Sequence, residues 1–482
     1  MNKIISIVSL VFYLPLLGYS QTYISLEEVI ELAQKQSTQS RMYASNFAAS
    51  KFNYDIFYKS MLPSIGINAT LPNLNRSLDK ITKPDGTDGF VQRSQMFSNA
   101  GLTINQPLIW TGGNVYFNPS LQRIDLFGNN ANTTYLGNPV SFGLSQPLFG
   151  FNPYKWSRKT EPLRLQVAEQ RNLENKEDVS IQAVRYYYNW LTAEMQYELA
   201  LIFKNHNDTI FQISKGRFEM GKIAENDLLQ AELNALNSDI SLQQTEFNLR
   251  LTKMRMEQFL NDDLGDANPT PNTTINKVDV SIEQALLLAR ENMSDFDNYE
   301  LQLLDAEREI ARSRANTRPT VSLFGSYGLT QSGAHLSDVI NNTQDRQLLV
   351  VELDVPLYQF GLNKTRTDLA QLNREILSDQ LSLNQIALEQ LVFERVSNFI
   401  LLQNQVDIAR RADEVANKGY EVTRQRFMIG KIDLLELNSA VARKTEARMD
   451  YVATLNNYWA AYFEIRKLTH YDFKTNQPLS ID

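Results

Sequence analysis

Two hydrophobic periods alternate along the chain. Residues 25–60 are a mixed polar and apolar stretch without proline and read as helix. Pro63 ends it, and the period changes to two: Ile65, Ile67, Ala69 and Leu71 alternate with polar or small residues. The same alternation runs through Val140, Phe142 and Leu144, through Val321, Leu323, Gly325, Tyr327 and Leu329, and through Leu349, Val351, Leu353 and Val355. In the last run Glu352 and Asp354 take the opposite side. The spacing predicts strands of about 8–11 residues with one apolar and one polar face. A membrane barrel and a water-soluble sandwich both produce it. After each strand block the helical period returns for very long stretches. Val184, Tyr188, Leu191, Met195, Leu199 and Ile202 follow one another by threes and fours, and Leu369, Leu372, Ile376, Leu383, Ile386 and Phe393 repeat the pattern, as do Val452, Leu455, Trp459 and Tyr462. Such seams predict coiled-coil packing over lengths that globular helices seldom reach.

The pattern is duplicated. Ser25-Leu-Glu-Glu-Val-Ile-Glu-Leu-Ala recurs as Ser281-Ile-Glu-Gln-Ala-Leu-Leu-Leu-Ala, each opening with a capping-box signature, Ser25 with Glu28 and Ser281 with Gln284. Pro63 recurs as Pro319, also 256 residues on. Pro147-Leu148-Phe149 recurs as Pro356-Leu357-Tyr358, and Arg217-Phe218 with Gly221-Lys222-Ile223 recurs as Arg426-Phe427 with Gly430-Lys431-Ile432, now 209 residues on. The first half therefore carries about 47 extra residues between Pro63 and Pro147. These include another alternating stretch, Leu102, Ile104 and Leu108, a turn at Thr111-Gly112-Gly113 and a partner strand within Val115–Ile124, so that residues ~72–139 either add strands to a barrel or form an extracellular hairpin. The expected organisation is a signal peptide at 1–20, a first repeat at 21–260, a linker at 261–280, a second repeat at 281–470 and a tail at 471–482. The signal reading rests on Lys3, the apolar run Ile4–Leu17 and small residues before Gln21.

Composition narrows the chemistry. The 482 residues contain no cysteine and three histidines, His206, His335 and His470, none at metal-ligand spacing to another. A net charge of −8 argues against nucleic acid as partner. No nucleophile motif or phosphate-binding loop supports an enzyme, and no cofactor is expected. Beyond the signal no apolar run reaches the ~18 residues of a transmembrane helix, so entry into a membrane requires a β-barrel. Four strands cannot close a barrel, whereas three chains of four would give twelve. The Gly-Lys-Ile turns sit between heptad-patterned helices and mark hairpin tips. Arg217, Gly221, Lys222 and Asp227 flank one, and Arg426, Phe427, Gly430, Lys431 and Glu436 the other. They are either solvated turns or docking and gating tips.

The order of these motifs resembles the TolC-like outer-membrane efflux proteins, over about residues 23–470. The resemblance rests on Ser25–Ala33, on strands ending in Gln-Pro-Leu or Val-Pro-Leu, and on the paired Arg-Phe-x-x-Gly-Lys-Ile turns. It implies an α+β membrane protein: a long α-helical coiled-coil barrel plus an antiparallel transmembrane β-barrel shared between protomers, with four or more strands per chain. It further implies a homotrimer in the outer membrane with twelve barrel strands, a helical tunnel in the periplasm, a periplasmic adaptor (membrane fusion) protein, and an inner-membrane pump of RND, ABC or MFS type. The function implied is an efflux or type I secretion conduit. A periplasmic coiled-coil adaptor is the alternative, disfavoured by the duplicated hairpin. By the resemblance, the turn residues line or lock the tunnel mouth, with Asp227 and Glu436 at a position that is often acidic in the family. A second acidic position would fall at Ser439, a departure from some relatives. Leu349, Val351, Leu353 and Val355 are expected to face outer-membrane lipid.

Overall fold

The computed structural model describes residues 23–480 apart from 83, 129–130, 271–274, 276, 430 and 433. The expected signal peptide lies outside the described residues, as does Gly430. In chain order the elements are β1 (Tyr23–Ile24), α1 (Leu26–Gln36), α2 (Thr38–Ser60), β2 (Ser64–Thr82), β3 (Asp88–Leu108), β4 (Gly113–Phe117), β5 (Ser120–Phe127), β6 (Asn132–Leu148), α3 (Pro153–Glu219) and α4 (Glu225–Leu260). The second half follows with β7 (Asn268–Pro269), α5 (Ile282–Asn292), α6 (Ser294–Ala315), β8 (Thr320–Gly333), β9 (Gln344–Asp354), α7 (Leu362–Met428), α8 (Leu434–Thr469), β10 (Tyr471–Asp472) and β11 (Gln477–Pro478). The repeat is visible in the lengths: α3 and α7 both have 67 residues, and α4 and α8 both have 36. At 1.5 Å per residue the longer pair are rods of roughly 100 Å.

The stretch 25–60 is two helices, not one. Ser37 leaves helical geometry and its side chain accepts from Ser40 N at 3.1 Å, so it starts α2. The expected capping box forms at Ser25, where Ser25 Oγ accepts from Glu28 N and Ser25 N donates to Glu28. It does not form at Ser281, whose side chain makes no cap hydrogen bond.

The buried core sits midway along the helical body, where α1, α3, α5, α7 and α8 converge. Tyr187, Tyr188, Trp190, Phe399, Tyr458 and Leu455 are almost completely buried there, with the Phe399 and Tyr458 rings stacked at 5.2 Å. The segment between the repeats is pinned to this core: β7 pairs in parallel with β1, and Gln403 holds both the N–H and the carbonyl of Val278 at 3.0 Å. Beside the core a charge network ties the end of α8 to α3. Arg466 reaches Glu177 at 3.1 Å and Asp472 at 3.4 Å, Lys467 reaches Asp178 at 2.8 Å, and His470 reaches Glu174 at 3.4 Å. Burial pushes the Glu177 carboxyl up to about 7 even with Arg466 beside it. Glu174 is also buried, but His470 and the Ser294 N–H and hydroxyl hold it below the usual range.

Among the long helices the contacts run α4–α3–α8–α7 toward the hairpin tips, and α2–α3–α6–α7 toward the sheet. Four helices therefore lie abreast at both levels, with α2 and α4 at one edge and α7 at the other. No described helix is long and apolar enough to cross a membrane.

Candidate functional site: sheet face and helical tip

The strands form one antiparallel sheet in the order β2-β3-β4-β6-β8-β9, with β5 continuing the line of β4 between β3 and β6. That is six strand positions, not four. The extra residues of the first half are β3 and the β4–β5 line, inserted into the sheet between β2 and β6. Their turn lies against the helices. Asn152 accepts from Lys155 N at the start of α3, and its amide donates to the carbonyls of Ile109 at 3.0 Å and Trp110 at 3.2 Å. Gln146 donates to Thr111 O and Gln106 to Met61 O, both at 3.0 Å, and Arg158 sits 4.2 Å over the Trp110 ring. Gln106 thus ties the base of the sheet to the end of α2, while Gln146 ties β6 to the turn, roles that alternation alone could not reveal.

Directly paired residues share a face, so the register sorts the side chains. Ile65 pairs with Ile104, Ile104 with Phe117, Phe117 with Phe142, Phe142 with Tyr327 and Tyr327 with Gln347. Nearer the helices, Leu323 pairs with Val351 and Val321 with Leu353. One face therefore carries Ile65, Ile67, Leu102, Ile104, Val115, Leu144, Leu323, Leu349, Val351 and Leu353, and Val351 is 63% exposed there. Val355 falls one residue beyond β9, exposed. Phe117, Phe142 and Tyr327 form a row across three strands at the far side of this apolar band, with the first two rings 4.6 Å apart. Farther out the same face turns polar, with Arg123, Asp125, Gln331 and Asp345. The opposite face presents Asn68, Thr103, Asn105, Asn114, Ser145, Ser322, Glu352 and Asp354, together with Tyr116 and Phe324 stacked at 6.0 Å. Gly143 makes room for that stack: a Cβ there would lie 2.0 Å from Tyr116.

The two tips share one backbone design. Lys222 N donates to Arg217 O at 2.8 Å, and Lys431 N donates to Arg426 O at 2.9 Å, the six-to-one bond that closes a Schellman turn. Gly221 takes φ +69°, open to glycine at little cost. Arg217, Lys222 and Asp227 are exposed, with Asp227 in the first turn of α4. Arg426 lies 4.0 Å from Glu436 across the second turn, both about half exposed. Phe427 is partly buried and Lys431 exposed. The two sets lie at the tips of separate hairpins, and at the second Arg426 and Glu436 are brought together as an ion pair.

Exposed apolar seams mark the edge helices. α2, 23 residues long, has no buried residue, with Phe52 and Ile56 open. On α4, Leu229, Leu233, Leu236, Ile240, Phe247 and Met254 follow heptad spacing and are all more than half exposed. On α7 the seam read from the sequence, Leu369 to Phe393, is likewise exposed and continues through Ile408, Val415 and Val422. By contrast Val452, Leu455, Trp459 and Tyr462 of α8 are core.

No group of metal-ligating side chains occurs among the described residues. Residues 285–469 match the family described as outer membrane efflux protein. No curated protein matches the chain. The solved structures similar to it include the Campylobacter jejuni CmeC outer membrane channel, 16% identical, covering 95% of this chain and 87% of that one with a TM-score of 0.66. The Vibrio cholerae outer membrane protein VceC is 12% identical, with 93% and 96% covered and a TM-score of 0.60. The open state of the Neisseria gonorrhoeae MtrE outer membrane channel is 15% identical, with 92% and 88% covered and a TM-score of 0.61. The second half of the chain thus carries a match to the outer membrane efflux protein family, and nearly the whole chain has the fold of the outer-membrane channels.

Proposed function

We propose that three copies of this chain form a conduit from periplasm to exterior that serves an inner-membrane pump through a periplasmic adaptor. The observation that carries the reading is the set of open edges. An apolar-faced sheet with two unpaired edge strands cannot sit in lipid, because each free N–H and C=O costs several kcal/mol there. The edge helices carry exposed apolar residues, on α2 and along the heptad seam of α4 at one edge and along the heptad seam of α7 at the other. Repetition around a threefold axis pairs β9 with the next copy's β2 and covers each seam with the next. The apolar sheet face, with Leu349, Val351 and Leu353, then meets lipid, and the face with Glu352 and Asp354 lines water.

Closing the ring also brings α7 of one copy beside α4 of the next, so the ends bearing Arg426 and Asp227 share a seam at the tip. Asp227 and Glu436 each recur three times around the mouth, where carboxylate rings favour cations and neighbouring bases hold the ring shut. Gly221 and the flanking Arg217, Lys222, Phe427 and Lys431 form the surface offered to the adaptor. Opening is a two-state motion of the hairpins, shifted by adaptor binding. The chain conducts passively and carries no catalytic step. Planar-bilayer recording tests this: purified protein should insert as a pore with a low resting current that rises when the tip is loosened, and protein that never conducts, even with the tip altered, would refute it.

A further inference from the structure

The inserted strands bear on the width of the pore. Building on the threefold reading above, we infer that β3 and β4–β5 are wall strands, so that the barrel has eighteen strands instead of the twelve that four per chain would give. Three observations carry this. First, β3 and β4 pair at the level of the helix-proximal band, Ile104 with Phe117 and Val115 with Leu144, within the same apolar face as β8 and β9. Second, their turn is held at the helical end of the sheet by Asn152 and Gln146, so the hairpin spans the wall and does not stand above it. Third, the widths agree. With strands ~4.8 Å apart and tilted ~40°, six strands occupy an arc of ~38 Å and four only ~25 Å. Four helices abreast at ~9 Å occupy ~36 Å. Six strands therefore continue the helix ring upward without narrowing, whereas four would force a taper.

The parity of the strands permits closure. An even number per chain leaves β9 and the neighbouring β2 antiparallel, and both present apolar side chains on the same face, Val351 and Leu353 against Ile65 and Ile67. Barrel diameter grows roughly linearly with strand number, so the outer-membrane segment is ~1.5-fold wider than a twelve-stranded one, ~36 Å against ~24 Å between backbones. The narrowest passage is then at the helical tip and not in the membrane.

Electron cryo-microscopy of the full chain in lipid nanodiscs, viewed along the threefold axis, should resolve eighteen strands. A threefold particle with twelve would overturn this inference and leave the channel reading standing; the absence of any threefold particle would overturn both. A chemical readout separates wall from overhang. The chain has no cysteine, so single substitutions report alone. Val115→Cys should be protected by lipid from a membrane-impermeant maleimide, while Asn114→Cys, on the opposite face of the same strand, should react in the opened channel. Equal reaction at both positions would place β4 outside the wall and refute the inference.

Discussion

Single side chains decide which solvent each surface meets. Val351 and Glu352 are adjacent yet lie on opposite faces of β9. A lysine at Val351 should cost about 2–4 kcal/mol if that position lies at mid-membrane, whereas Glu352→Lys should assemble normally. The yield of heat-sensitive oligomer on gels compares them, and equal tolerance would contradict the lipid-facing assignment. A second residue-scale expectation concerns Glu177. Burial raises its carboxyl to about 7, so the folded state holds a proton that the unfolded state releases above its ordinary value near 4.5. The sign follows: this group's stabilising contribution is full below about 4.5 and is lost as pH rises through about 7. Between pH 5 and 8 the wild type should lose about 2–3 kcal/mol relative to Glu177→Gln. Melting curves of both across that range would show it, and parallel pH profiles would contradict it. The sequence did not single out Glu177, because one glutamate in a long helix looks like surface; its burial arises only when Arg466, 289 residues away, closes over it. The alternation of Leu349, Val351 and Leu353 was legible because strand faces have a fixed period of two.

At the scale of elements, the long helices and their tips were readable, since repeated spacing survives any tertiary arrangement. What each seam packs against was not. The same heptad pattern is core on α8 and open on α7, a difference set by which helix is a neighbour and invisible to periodicity. The split at Ser37 was also missed: a serine inside a proline-free stretch gives little warning that it will cap a new helix. Leu233→Asp combined with Leu236→Asp should abolish assembly while leaving helical content unchanged, because both side chains are already exposed in one copy. Circular dichroism with sedimentation would check it; an intact oligomer would mean that this seam is solvent-facing. At the tips, an exposed pair such as Arg426 with Glu436 is worth only ~0–1 kcal/mol, but a threefold mouth repeats it. Arg426→Ser with Asp227→Ala should therefore raise resting conductance without loss of assembly, and Glu436→Ala should lower cation preference. Currents and reversal potentials that match wild type in both variants would place the gate elsewhere.

On the scale of the whole molecule, the duplication explains why one chain presents two kinds of edge. Each repeat supplies strands and a helical hairpin, and the pair laid side by side forms an arc of wall, open at β2 and β9 in the sheet and at α2, α4 and α7 in the helical body. The 47-residue insertion was visible as an offset between repeats, but its destination was not, because an extracellular hairpin and a pair of wall strands alternate alike. The wall-strand reading rests on the bonds from Asn152 and Gln146 to the turn at 109–111, contacts between residues some 35–43 positions apart. Everything proposed for transport depends on those arcs closing. Native mass measurement of protein extracted from the outer membrane in mild detergent tests that directly: the account predicts a particle of three chains, and a lone chain stably inserted in the bilayer would contradict it.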